Sequence, residues 1–388
     1  MQRIYLDNAA TTKVDTKVAE AILPFLTENF GNPSSIYSYG REVKSAIEKA
    51  RKSVATLLGA NPGEIFFTSG GTESSNMIMR RCVNDLGVKH IITSPLEHHC
   101  VLHTAEDIEH LGRIKLHLVN VNEHGDIDMA HLESLLENLK NEKVLVSLMH
   151  GNNEIGNLLD LVTVGNLVKK YNAYFHTDTV QTVGHWKFNL HELPMDFITG
   201  SAHKFHGPKG AGIVYVSERV KVKPFVAGGG QERNMRAGTE NVTGIIGFAK
   251  ALEMAYENFD ADKKYISDLK FYLKKKLEEN FEGLIFNGRS GSENSMYTVL
   301  SVGFPKNEQT EMLLYTLDMD GICVSGGSAC SSGANAGSHV IQGIYKGKAN
   351  QSTIRFSFSK YNTKEEIDKV VAALQQKIGS KKVAVANS

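Results

Sequence analysis

Only four of the 388 residues are cysteine, at positions 82, 100, 323 and 330. That is too few for a disulfide framework, so a reducing, cytoplasmic setting is expected. Net charge is missing too, since 43 lysines and arginines face 43 aspartates and glutamates. A nucleic-acid binder needs a basic surplus to neutralise phosphates, and a polybasic membrane arm needs the same, so neither partner is expected. No apolar run approaches the roughly 18–20 residues that cross a bilayer; VLVSLM from Val144 is far shorter. The opening MQRIYLDNAATT has neither the apolar stretch nor the cleavage site of a secretory signal. With eight prolines there is no proline-rich linker, and no repeat or low-complexity tract is visible. What remains is an ordinary globular composition, 41% hydrophobic and 22% charged, with chain enough for about two domains.

Runs rich in Val, Ile and Phe predict strands at residues 64–68, 89–94, 113–119, 143–150, 173–178, 196–201 and 211–216. Helical periodicity fills most gaps between them, at 72–86, 97–111, 128–140 and 161–171. Such alternation predicts an α/β fold with a mainly parallel sheet and helices on both faces. Gly59 and Gly112 fall where helices should stop. After about residue 240 the pattern changes to two long helices, 242–259 and 260–281. Strands at 296–302, 321–325 and 352–358 then alternate with helices at 308–318 and 364–377, which predicts a smaller α+β unit.

Several residues carry chemistry. Lys204, in GSAHKFHGPKG, follows a predicted strand, where open α/β sheets place their ligands. Small residues, two histidines, Pro208 and two glycines surround it, a setting suited to a Schiff-base amine, although a lone lysine is more simply a loop residue. Asp178 ends a predicted buried strand, with Gln181 three residues on, and a buried carboxylate needs a partner such as a pyridinium nitrogen. TSGGTESSN joins a strand to a helix, and its first-turn amides with the hydroxyls of Ser69 and Thr72 describe an anion cup. Cys330 lies among glycines, serines and alanines with nothing apolar to bury against, as expected of an exposed nucleophilic thiol. Cys82 and Cys323 have apolar neighbours and read as packing residues. In EHHCVLH, His99 and His103 stand one turn apart beside Cys100, which invites a metal. Yet no second ligand pair at zinc spacing exists, and His98 stacked on a planar cofactor is the simpler account.

Together these stretches carry a resemblance. YLDNAATT, FGNPSS, FTSGGTESSN, MHGNNEIG, HTDTVQ, HKFHGPKG, GGGQERNMRAGTEN, SGGSACSSG and STIRFS resemble the cysteine desulfurases, pyridoxal-phosphate (PLP) enzymes of the class V aminotransferase type, from residue 4 to about 375. The branch resembled supplies sulfur for iron–sulfur clusters and nitrogenase maturation. The resemblance implies an aspartate aminotransferase-like fold, with a large PLP-binding domain over 13–258. Residues 1–12 and 259–388 would form the small domain carrying the cysteine loop. It implies that Lys204 holds PLP, Asp178 faces the pyridine nitrogen, Gln181 the phenolic oxygen, and His98 stacks on the ring. Gly71, Thr72, Ser201 and His203 would hold the phosphate, with Thr239 reaching it across a homodimer. Asn153 and Arg355 would orient L-cysteine, Arg355 by a bidentate carboxylate pair. Cys330 would accept the sulfur as a persulfide and pass it to an acceptor protein such as an iron–sulfur scaffold. No metal is implied.

Departures are few. Ala202 stands where the family has glycine and could crowd the phosphate, and Thr179 and Val180 replace the more common Ala–Thr. The sequence ends soon after the last predicted helix, so scaffold contact through a long tail is not expected. Two other readings stay open: a related PLP lyase or aminotransferase, such as one acting on selenocysteine, and a non-catalytic sulfur carrier or metal-binding accessory protein. The first has no use for Cys330, and the second none for Lys204.

Overall fold

The structure, a computed structural model, describes residues 3–326 and 337–380. Its strands in chain order are β1 (Ile4–Tyr5), β2 (Ile65–Thr68), β3 (His90–Thr93), β4 (Lys115–Leu118), β5 (Val144–Ser147) and β6 (Tyr174–Asp178). They continue with β7 (Phe197–Ser201), β8 (Gly212–Val216), β9 (Ile285–Phe286), β10 (Val299–Pro305), β11 (Ile322–Cys323) and β12 (Gln351–Ser357). Seven form one sheet in the order β2-β8-β7-β6-β5-β3-β4. All neighbours in it are parallel except β8, which runs against both β2 and β7.

Every residue of β2, β5, β7 and β8 is buried, which explains why these strands read as unbroken apolar runs rather than alternating ones. One face packs the helices Ser38–Leu58 and Val242–Glu257 through Val43, Ile47, Val54, Phe248 and Leu252. The other packs Gly71–Asp85 and His99–His110 through Ile78, Met79, Val101 and Ile108. The edge strand β4 has no fully buried residue and carries Lys115 and His117, a composition that discourages further pairing. The helix Ser38–Leu58 stops at Gly59, whose φ is +63° and whose amide bonds back to Ala55. A side chain there would strike Asn189 Oδ1 at 2.4 Å, so glycine is required.

A separate hydrophobic cluster joins Ile4 and Leu6 to Ile266, Leu273, Val302, Phe356 and Leu374. Around it β12-β10-β9 form an antiparallel sheet, and β1 lies parallel to β11, so the chain's start is stitched to its last third. The strand expected at 296–302 runs three residues later. Met296 is engaged elsewhere, its amide on the Gly156 carbonyl and its carbonyl on Lys270 Nζ, and the β12 ladder starts at Val299. The helix expected at 308–318 is two pieces, Glu308–Glu311 and Leu313–Met319. Among the described residues no helix is long and apolar enough to cross a membrane.

Candidate active site

The carboxyl ends of β3, β5, β6 and β7 lie along one edge of the large sheet, and the segments leaving them converge there. After β7 the chain makes a single 3-10 turn, Ala202–Lys204. Lys204 Nζ then sits 2.6 Å from the Ala9 carbonyl and 2.9 Å from that of Ala10. Behind it His185 Nε2 is 3.0 Å from the Lys204 carbonyl, and His185 Nδ1 is 2.9 Å from the Tyr297 hydroxyl. His203 Nδ1 lies 3.1 Å from Thr11 Oγ1, and burial pushes that imidazole down to about 4, so it is neutral at physiological pH.

Asp178 is the last residue of β6 and is 5% exposed. Its Oδ1 accepts from the Val180 amide at 2.9 Å and from Thr199 Oγ1 at 3.3 Å. Its Oδ2 receives the Cys100 thiol at 3.9 Å. Gln181 Nε2 donates to the Ala9 carbonyl at 3.0 Å. His98 caps the helix His99–His110, its Nδ1 accepting the Cys100 amide at 3.1 Å. That bond leaves the ring proton on Nε2. Burial holds the His98 ring below the ordinary imidazole value, with Asp178 pulling the other way.

These side chains enclose a cavity of about 210 Å³. Gly71, Thr72, Ser201 and His203 line one part, and Asp178, Gln181, His98 and Lys204 line another. Asn153 and Arg355 complete the wall. Arg355, 1% exposed, sets Nη2 2.6 Å from Asp7 Oδ1 and Nη1 2.8 Å from the Asn153 carbonyl. Its Nε is buried with no partner among the described residues.

Two expected site residues are not tested by this cavity: Cys330 lies outside the described residues, and Thr239 is expected to reach the site of a partner subunit. Thr239 lines a separate cavity of about 190 Å³, shared with Arg236 and Asn241. The segment leading to it is anchored by Glu232, whose carboxylate takes both terminal nitrogens of the buried Arg51 at 2.7 and 2.8 Å. Ser69, expected in the anion cup, is exposed and lines that second cavity, with its amide on Glu73 Oε2. Thr72, Ser201 and Gly71, at the uncapped start of the helix, line the first cavity without it.

The expected crowding by Ala202 is also overturned. Its side chain is fully buried in the core, its Cβ against Gly207 and absent from the cavity wall. Thr179 is buried too, bonding the Thr199 carbonyl, and only Val180 of the altered pair reaches the cavity. Cys100 does not join His99 and His103, because it faces Ser75 and Asp178. His99 stacks on His103 and meets His339 Nδ1 at 3.1 Å, and among the described residues no group of three His, Cys, Asp or Glu side chains is arranged for a metal ion. Sequence patterns missed Asp7, Ala9, Ala10 and Cys100 as site residues. The first three lie inside the quoted YLDNAATT stretch, which was the available signal.

The residues present fit a phosphorylated pyridine aldehyde. The helix at Gly71 has no side-chain cap, so its first amides are open to an anion. A side chain at Gly71 would meet Val180 Cγ2 at 2.5 Å, so the floor of the cup is shaped by the missing Cβ. An amine, a carboxylate fixed by two donors to one oxygen, and a guanidinium with an unused N–H complete the donor set.

Comparison with known proteins agrees in extent. The family described as aminotransferase class-V matches residues 4–370. A protein named cysteine desulfurase IscS from Dictyoglomus turgidum is 42% identical over 97% of this chain and 94% of its own length. Another of that name from Clostridium botulinum is 39% identical over 96% and 94%. Among solved structures, a NifS-like protein superposes with a TM-score of 0.88 at 38% identity, covering 97% of this chain and 99% of that one. A NifS-like protein from Rickettsia africae gives 0.85 at 32% identity, with coverage of 97% and 99%.

Proposed function

The chain belongs to the aminotransferase class-V family, on its cysteine desulfurase branch, and from that premise we propose how its own residues carry the reaction. It is a PLP-dependent enzyme that converts L-cysteine to L-alanine and passes the sulfur on for iron–sulfur cluster or related synthesis. The observation that carries the site assignment is the convergence of Lys204, Asp178, His98 and Arg355 on one cavity.

Bound PLP supplies an electron sink for the carbanion formed at the substrate's Cα. Lys204 Nζ would hold its aldehyde carbon, Asp178 would face its ring nitrogen and keep that nitrogen protonated, and Gln181 would meet its phenolic oxygen. Gly71, Thr72, Ser201 and His203 receive the phosphate. Arg355, held by Asp7 and the Asn153 carbonyl, would meet the carboxylate of L-cysteine with the N–H groups of Nη1 and Nη2 that those two bonds do not use. Lys204 Nζ, which lines the same cavity, would take the Cα proton of the substrate. His98 Nε2, the protonated nitrogen of its own ring, would hand on protons within the cavity. Cys330 as thiolate attacks the substrate sulfur: a new S–S bond forms as the substrate's C–S bond breaks, and that bond's electron pair stays on the carbon that becomes the methyl of alanine. Cys330 is left as a persulfide for an acceptor protein.

A homodimer is part of this reading. Thr239 stands away from its own chain's cup, and Leu23, Leu26, Phe30, Ile36, Tyr37 and Tyr39 leave a run of exposed apolar side chains. The cluster around Val54 and Phe248 and the one joining Ile4 and Leu6 to Phe356 support a large domain over 13–258 and a small one built from 1–12 and 259–388. The free thiols of Cys82, Cys100 and Cys323 suit a reducing cytoplasm. The test is stoichiometric: with L-cysteine and a thiol reductant, the yellow holoenzyme releases alanine and sulfide in equal amounts. Alanine without sulfide, or neither product, overturns the reading.

A further inference from the structure

The segment leaving β6 carries Asp178 and Gln181 and then His185, whose amide closes a turn onto the Thr182 carbonyl at 2.9 Å. Gly184 presses that turn against the residue after Lys204. Its φ is +82°, and a side chain there would strike Phe205 Cβ at 2.5 Å. His185 spans the remaining gap, with Nε2 3.0 Å from the Lys204 carbonyl and Nδ1 2.9 Å from the Tyr297 hydroxyl. A carbonyl oxygen only accepts, so the ring proton is on Nε2. Burial holds this half-buried imidazole below its ordinary value, so the ring is neutral and Nδ1 offers a lone pair. The Tyr297 hydroxyl therefore donates to it.

Tyr297 is buried in the hydrophobic cluster that holds Leu300 and Phe356, so a directed chain of two hydrogen bonds runs from that cluster through His185 to the Lys204 main chain. The preceding carbonyl, that of His203, accepts the Thr12 amide at 2.8 Å and the Thr12 hydroxyl at 3.0 Å. The carbonyls on either side of the Lys204 α-carbon are thus both held, the second by His185. We propose that His185, with Tyr297 behind it, is a positioning residue for the reaction: it fixes the main chain from which Lys204 Nζ reaches the cofactor and then the substrate's Cα. The proposal rests on the desulfurase reading, in which Lys204 makes both approaches, and a small error of placement is costly to each. Neither His185 nor Tyr297 lines the cavity that Lys204 shares with Arg355 and Asn153. Losing the chain should therefore slow the chemistry and leave substrate affinity in place.

Two amides separate positioning from mere filling of space. The side-chain nitrogen of glutamine lies about as far from Cβ as histidine Nε2 and can donate to the same carbonyl, whereas that of asparagine falls one bond short. Mixed with PLP, the cofactor-free His185→Asn protein should develop the absorbance of the lysine-linked cofactor about tenfold more slowly than the parent, and His185→Gln within about threefold of it. With L-cysteine, the loaded His185→Asn enzyme should form alanine with kcat down about tenfold and KM within about twofold. Nitrogen NMR of ring-labelled histidine in the unaltered holoenzyme, assigned by the signals missing from His185→Gln, should find the His185 proton on Nε2. Tyr297→Phe should shift the Nδ1 signal. Equal linking rates for His185→Asn and His185→Gln, a parental kcat in His185→Asn, or a proton on Nδ1 would overturn the proposal. If His185→Asn does not fold, Tyr297→Phe takes its place, since it keeps the ring and loses only the hydroxyl. It should link PLP about threefold more slowly, and a parental rate would count against the proposal. Linking and NMR are read without substrate, so a parent enzyme that makes no alanine sinks the desulfurase reading alone. Variants that match each other beside an active parent sink only this one.

Discussion

Arg355 and Asp7, 348 residues apart in sequence, meet at 2.6 Å beside the cavity that Lys204 lines. The contact crosses from β12 to the segment after β1, and it consumes one arm of a guanidinium whose second arm is on the Asn153 carbonyl. The arginine is thus locked in place, with one further N–H on each terminal nitrogen beyond those two bonds.

That locking predicts a split between binding and cofactor loading. Arg355→Lys keeps the charge and loses the planar fork, so the KM for L-cysteine should rise about 10- to 100-fold, worth about 1.4–2.8 kcal/mol. Cofactor absorbance should stay as in the parent protein. An unchanged KM would remove Arg355 from the substrate site.

Lys204 and Cys330 should fail at different stages. Lys204→Ala is expected to lose the absorbance of the lysine-linked cofactor and all alanine formation. Cys330→Ala should keep that absorbance and stop sulfur transfer. Mass spectrometry of the unaltered protein after brief exposure to L-cysteine should find one extra sulfur on the peptide containing Cys330. Parental turnover by Cys330→Ala would instead favour the lyase reading.

Lys270 is fully buried on the helix Phe259–Asn280, its Nζ bonded to Ser295 Oγ at 2.7 Å and to the Met296 carbonyl at 2.9 Å. Burial pulls its amine down from 10.5 to about 7. Between those two values the unfolded chain holds the proton that the folded chain has lost. Stability therefore rises as pH goes from about 7 to about 10.5, by a few kcal/mol at most. Lys270→Met should flatten that rise, so the difference in stability between parent and variant changes across the window by a few kcal/mol at most. Urea unfolding across the window, parent against variant, measures it.

Ala202 faces Gly207 in the core rather than the phosphate cup. Ala202→Gly should therefore leave PLP affinity within about twofold of the parent, and should lower stability by about 1 kcal/mol through lost burial and added backbone freedom. Equilibrium PLP binding to the apo-protein and a thermal melt separate the two effects. A clear gain in PLP affinity would restore the crowding that the sequence suggested.

Much of this was legible in local pattern. The buried strands announced themselves as unbroken apolar runs, and Asp178 and Lys204 could be placed at or just after strand ends because a strand end is a local event. His185, by contrast, carried no signal, since nothing in QTVGHWKF says which carbonyl and which hydroxyl its two ring nitrogens will meet.

The sequence by itself determined the alternation of strands and helices, the chain order of cup, aspartate and lysine, and through its motifs the family. Those are properties of neighbours along the chain, fixed by periodicity and by residue type. Tertiary structure alone decided that Ala9 and Ala10 offer their carbonyls to Lys204, that Cys100 turns to Asp178, and that Ser69 leaves the cup to Thr72 and Ser201. The reason is geometric. One residue's rotation in a strand or turn sends a side chain to the opposite face, and contacts spanning hundreds of residues leave no local trace. The four cysteines show the same division: their number pointed to a reducing compartment, while only packing set Cys100 against the aspartate of the active site.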